Sequence, residues 1–134
     1  MRNLLFIAMM GIMTGVSIPS WAQWTSVGRD KVKGVFIDLT SIHRAGDTVK
    51  IWSLSDFKVE QEIDGEKFLS EKMHHAAHCK EKQITPLAMS VFTENMGNGT
   101  VVFSDNIPHR WVSVAPGSFG EIILKIACGN IQAS

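Results

Sequence analysis

The sequence is short of most of the residues that chemistry would need. It holds only two cysteines among 134 residues, and its 13 basic residues balance 13 acidic ones. A balanced, scattered charge leaves no electrostatic footprint for nucleic acid or for an anionic membrane surface. There is no internal repeat, no low-complexity run and no linker, so one domain is expected. After residue 18 no long apolar run recurs, which argues against a membrane span in the rest of the chain. No nucleophile-elbow sequence accompanies the scattered serines and histidines. Asp38, Asp56 and Glu94 stand apart in sequence, so paired acid–base work cannot be read from them. Gly97-Asn98-Gly99 opens no helix and reads as a β-turn rather than a phosphate loop. An enzyme is therefore not expected, and no cofactor is implied.

What is present begins with a targeting signal. Arg2 supplies a positive start, Leu4 to Ile18 is uncharged and apolar, and Ser20-Trp21-Ala22 has the small-x-small pattern of a signal-peptidase site. Residues 1–22 are expected to be removed, leaving 23–134 as the domain, with no membrane anchor and no lipid-bearing cysteine. The expected location is the periplasm or, after further export, the cell surface. Both cysteines, Cys79 and Cys128, survive that cleavage. In an oxidising compartment they most simply pair, with two free thiols or a metal pair as the alternatives. Closing a loop of 49 positions contributes roughly 4 kcal/mol at most in the chain-entropy account.

The patterning is mostly β. Gln23 to Gly28 alternates weakly, as an edge strand does. Gly34 to Asp38 is β-branched and aromatic. Thr40 to Asp47 reads as a loop. Thr48 to Phe57 is the clearest strand: Val49, Ile51 and Phe57 share one parity, Trp52 and Leu54 the other. Apolar residues on both parities predict cover on both faces. Asp64-Gly65 is a turn dipeptide. Ser70 to Cys79 is rich in helix formers, yet a turn precedes it and a strand candidate follows, so it is read as a return strand. Met73, His75, Ala77 and Cys79 would then share a face. Lys80 to Lys82 is a polar connection. Ile84 to Thr93 and Thr100 to Phe103 are further strands, and Trp111 to Val114 adds a brief extended piece.

The last apolar stretch predicts a helix. Ser118 is the N-cap, Glu121 completes a capping-box pattern and Gly129 is the C-cap glycine. Phe119, Ile122, Ile123 and Ile126 recur at helical spacing and are expected to face inward.

His74, His75 and His78 form the one cluster with ligand potential, with His43 and His109 far away in sequence. Zinc generally takes three or four ligands, and no glutamate sits between the histidines in a zincin pattern. They are read as structural, without metal. The alternative is a periplasmic protein that handles a small ligand or a metal through His74 and His78. Trp24, Trp52 and Trp111 are either core residues or markers of a binding face. A single short helix covers only part of one sheet face, so Trp52 and Leu54 are candidate protein-binding residues, together with Lys80 and Lys82.

The order of features resembles a known family. Trp24 is followed by Phe36-x-Asp38, Ser41-Ile42-x-Arg44 and Val49-x-x-Trp52. Ser70, Cys79, Met96-Gly97-x-Gly99, Trp111, Pro116-Gly117-Ser118, Glu121 and Cys128 come after. This resembles the surface-adhesin protein E family of Gram-negative bacteria, over nearly the whole chain beyond the signal. The resemblance implies an α+β fold: about six antiparallel strands and one C-terminal helix tethered by a disulfide. It also implies a non-enzymatic adhesin at the cell surface. Expected partners are host matrix or serum proteins such as vitronectin, laminin and plasminogen, and a capacity to form homodimers is implied as well.

Overall fold

The structure is a computed structural model and describes residues 23–106 and 110–129. The expected signal segment 1–22 and His109 lie outside the described residues. No described helix is long and apolar enough to cross a membrane.

Strands β1 (Trp24–Arg29), β2 (Lys33–Ala45), β3 (Thr48–Ile63), β4 (Glu66–His78), β5 (Gln83–Phe92) and β6 (Val101–Asp105) form one antiparallel meander in sequence order. A two-residue strand, β7 (Val112–Ser113), pairs with the start of β5. One helix, α1 (Phe119–Ala127), lies across one face. The expected α+β fold, with its antiparallel sheet and single C-terminal helix, is what forms.

The β2–β3 and β3–β4 turns obey local chemistry. Asp64 and Gly65 take positive φ at the β3–β4 reversal, as does Gly46 between β2 and β3. The ambiguous 70–79 segment is a strand, because β3 pairs with it in register from Thr48↔His78 to Asp56↔Ser70. Pairing on both sides overrides the helix propensity of Glu, Lys, Met and Ala.

The loop expected over Thr40 to Asp47 is a correction. β2 continues to Ala45 through an irregularity between Asp38 and His43. Asp38 Oδ1 accepts from Thr40 N (2.9 Å) and from Thr40 Oγ1 (2.5 Å), which bends the strand locally. Ser41 Oγ donates to Asp38 O and accepts from Trp52 N at 2.9 Å. A serine hydroxyl thus stands in for the ladder carbonyl that Trp52 would otherwise lack. Gly46 and Asp47 make the reversal, while the polar residues from Asp38 to Ser41 make a bulge.

The core lies between the sheet and α1. Val35, Ile37, Val49, Ile51 and Ala77 from the strands meet Ile123, Leu124 and Ala127 from the helix. Ser118 caps α1 by accepting from Glu121 N at 3.2 Å. The return half of the capping box is displaced: Glu121 Oε1 accepts from Gly117 N instead. Gly129 ends the helix at φ +74, donating to Ile126 O. The inward face is rotated from the expected one. Leu124 and Ala127 are buried with Ile123, while Phe119, Ile122 and Ile126 are half-buried. The sequence period gives an apolar arc, but the disulfide and the sheet choose its centre. Cys79 and Cys128 are bonded, with their Cα atoms 5.7 Å apart. Arg44 Nη2 donates to the Cys128 carbonyl at 3.0 Å, holding the same helix end to β2.

Candidate binding face

The face of the sheet opposite α1 has no helix over it, and strand register decides what it displays. Cross-strand partners share a face. One row across the sheet therefore runs Trp24, Asp38, Trp52, His74 and Ala88. The next runs Ser26, Phe36, Leu54, Lys72, Ser90 and Ser104.

Two groupings follow. The rings of Trp52 and His74 stack, centroid to centroid 4.5 Å and nearly parallel at 5°. Both are half-buried. Burial holds the His74 pKa below its ordinary value, and the Lys50 ammonium adds to the effect. Beside them Lys72 Nζ lies 5.0 Å from the Phe92 ring and 5.8 Å from the Trp24 ring. A cation between two aromatic faces is attracted to both quadrupoles. The surface is thus aromatic and cationic, and the carboxylate of its one buried acid, Asp38, is already occupied by Thr40.

Leu54 does not belong to this surface, which corrects its place among the candidates. It is 0% exposed. The β5–β6 connection folds back over it through a single 3-10 turn, Asn95–Gly97. Ser70 Oγ donates to Glu94 O at 2.6 Å and accepts from Gly97 N at 2.8 Å. Asp56 Oδ1 accepts from Met96 N at 2.8 Å and from Asn95 Nδ2 at 3.0 Å. A Cβ on Gly97 would lie 3.7 Å from Leu54 Cδ1 and 2.5 Å from Lys72 Cε, so the turn is pressed onto the sheet. Sequence parity placed Leu54 on the open face correctly; only the folded connection shows that it is roofed.

Lys80 and Lys82 are exposed in the β4–β5 connection, with Lys82 at φ +52. They do not converge with Trp52. Lys80 is six positions beyond His74, the Trp52 partner, and at about 3.3 Å per residue that is roughly 20 Å along the sheet. They sit instead near His78 and Trp111, whose rings meet edge to face at 5.9 Å. Trp111 is 41% exposed.

The strand also disperses the three histidines. His74 faces Trp52 and His78 faces Trp111, four positions apart on one face, about 13 Å at strand rise. His75 points the other way, beneath α1, where it shares a 2.7 Å hydrogen bond with Ser53 Oγ. Among the described residues, no three His, Cys, Asp or Glu come together in a way that could hold a metal ion.

Lys72 and Phe92 carry no signal in the sequence, and His74 is marked there only as a candidate metal or small-ligand residue. Their membership depends on which strands lie side by side, and no local signal carries that. Trp24 and Trp52 were visible as tryptophans, and the register joins them on one face.

The comparisons with known proteins agree on the architecture. Residues 24–129 match the surface-adhesin protein E family. Among curated proteins no sequence matches the chain. Crystal form II of Haemophilus influenzae protein E is similar in fold, with a TM-score of 0.60 at 17% identity over 72% of this chain and 80% of that one. The crystal structure of protein E from non-typeable Haemophilus influenzae gives 0.58 at 16% identity, over 84% of this chain and 80% of that one. Identities this low speak to fold alone, and the family match spans most of the chain. The chain belongs to the surface-adhesin protein E family.

Proposed function

We infer that this chain is an exported, non-enzymatic binding domain, adhesin-like in use, that engages another protein through the open face of its sheet. The observation that carries this reading is the aromatic and cationic surface of Trp24, Trp52, Lys72, His74 and Phe92 on the face that α1 leaves uncovered. Tryptophan is enriched at the energetic centres of protein interfaces, because a flat ring buries a large area at little entropic cost. A positive rim suits an acidic or mixed partner surface. Family membership supports a host matrix or serum protein as the partner and a surface location, and the apolar run from Leu4 to Ile18 followed by Ser20-Trp21-Ala22 supports export of residues 23–134. Lys80 and Lys82 then belong to a second, separate edge of the contact, beside Trp111.

The test is titration of immobilised matrix and serum proteins, and of envelope extract, with the oxidised protein. Saturable binding is expected, and Trp52→Ala should weaken it by about 2 kcal/mol, or some thirtyfold, while leaving the unfolding midpoint near that of the parent. Binding unaffected by Trp52→Ala and by Lys72→Ala together would place the contact elsewhere.

A further inference from the structure

A second surface lies on the other side of the molecule. Because Ile123, Leu124 and Ala127 take the buried positions of α1, Ile122 and Ile126 are left half-buried on one flank. Between that flank and the edge of the sheet runs a groove of about 510 Å³. Its apolar lining comes from Ile37, Leu39 and Ile42 of β2 and from Ile122 and Ile126 of α1. Its remaining wall is β1, through the consecutive residues Thr25, Ser26 and Val27. Thr25 pairs with Ile37 and Ser26 with Phe36, so these two side chains point to opposite faces, and contact with both means that the β1 backbone itself borders the groove. Beyond Val27 the helix approaches β1 closely: Phe119 Cε1 would be 3.1 Å from a Cβ on Gly28. The opposite end opens at Gly129, beside the exposed Arg44 that holds Cys128 O.

β1 is also the last strand of the sheet and pairs with β2 alone. In an antiparallel ladder alternate residues turn their N–H and C=O outward; a register shift between Ser26 and Gly28 interrupts that row, so the regular stretch of backbone donors and acceptors without a strand partner among the described residues is Trp24 to Ser26, continued by β2. β2 runs on to Ala45, beyond Asp38, the last of its partners on β1. Among the described residues the unpaired edge is thus longer than β1, with an irregularity in β2 between Asp38 and His43. An open edge asks for a strand, and an apolar groove beside it asks for alternate apolar side chains. A cation at the open end, where a bound chain would leave, asks for an acidic side chain.

We propose that the β1 edge and the groove beneath α1 take an extended peptide segment of another protein as an added strand, with alternate apolar side chains in the groove and an Asp or Glu at Arg44. The surface is separate from the open sheet face, and its test stands apart from that reading.

The probe is a capped, fluorescein-labelled eight-residue peptide of alternating valine and threonine, flanked by glutamate at each end, titrated by anisotropy into the oxidised protein. Saturable binding is expected. Leu39, 49% exposed, can be changed without touching the core; Leu39→Asp should weaken binding about tenfold or more. Replacing the flanking glutamates by glutamine should weaken binding to the parent and not to Arg44→Gln. Methylating the backbone nitrogens of the valines or of the threonines should abolish binding for one set and spare it for the other, since only one set faces β1. The proposal is overturned by an absence of saturable binding, by equal binding of both methylated peptides and the parent peptide, or by Leu39→Asp binding like the parent. It is also overturned if sedimentation shows a dimer that Leu39→Asp dissolves and that excludes the peptide, because the edge then serves a second copy of this chain.

Discussion

His75 and Ser53 show how one buried polar pair ties stability to pH. His75 is 9% exposed and stands beneath α1 with Ser53, Glu71 and Met73 around a cavity of about 200 Å³. Burial holds its pKa down to about 4, and the neighbouring His74 adds to the effect. The unfolded chain takes up a proton near pH 6.5, while the folded one resists until about 4. Stability from this residue is therefore full above pH 6.5 and is lost as pH falls toward 4. Between pH 7 and 4.5 that amounts to about 2 kcal/mol. Urea unfolding should show the parent losing about that much more than His75→Gln over the interval; equal losses would count against a neutral buried imidazole. Burial acts oppositely on Glu71 and pushes its pKa up, with Lys33 working against the push. Its ionised form is the costly one, so Glu71→Gln should raise the midpoint at neutral pH and lose that advantage in acid. Thermal scans at pH 7 and pH 4 would show the crossing.

At the scale of elements, α1 is the most legible part of the chain and also the most dependent on the rest. A nine-residue helix is marginal alone, and its signals are local: Ser118 before it, Glu121 in its first turn, Lys125 in its last and Gly129 after it. Ser118→Ala removes the acceptor for Glu121 N and should cost about 1 kcal/mol in chemical denaturation. An unchanged midpoint would mean that water or the displaced Glu121 contact replaces the cap. The apolar period was equally plain, yet it was centred one position off. Phe119, Ile122, Ile123 and Ile126 satisfy helical spacing, but the sheet below accepts Ile123, Leu124 and Ala127. Periodicity fixes the width of an apolar arc; the covalent anchor at Cys128 and the packing of Val49, Ile51 and Ala77 fix its azimuth. The turn over 94–99 is a parallel case. Its glycines were legible as a reversal, but its service as a roof over Leu54 depends on Ser70 and Asp56, whose hydrogen bonds reach it from distant strands.

At the scale of the molecule, the helix covers one face and the disulfide keeps it there. The bridge joins the end of α1 to the end of β4, 49 positions apart. Without it the helix retains its contacts with β2 and β3 and the Arg44 bond to Cys128 O. The double substitution Cys79→Ser, Cys128→Ser should lower stability by about 4 kcal/mol at most, against a total of ~5–15 kcal/mol for a domain of this kind. Amide exchange should show α1 opening first and the β2–β3–β4 centre last. If β3 and β4 lost protection together with α1, the helix would be integral to the sheet rather than tethered to it. The same arrangement leaves two surfaces for partners: the aromatic face that α1 does not reach, and the groove along its β1 flank.

Local chemistry in the chain was enough for the strands that alternate, the turns that need positive φ, the caps of the helix and the pairing of its only two cysteines. Those features depend on near neighbours, on steric rules of the backbone or on the count of thiols. The antiparallel sheet with its tethered helix is what the family resemblance implies, and short turns between consecutive strands account for the sequence order seen in the fold. Everything that turns on register came from the folded molecule. Trp52 and His74 are 22 positions apart, and Lys72 reaches Trp24 from 48 positions away. A strand shifted by one residue would have sent each to the opposite face. The candidate surface is thus set by cooperative pairing across the whole sheet, which no window of the sequence contains.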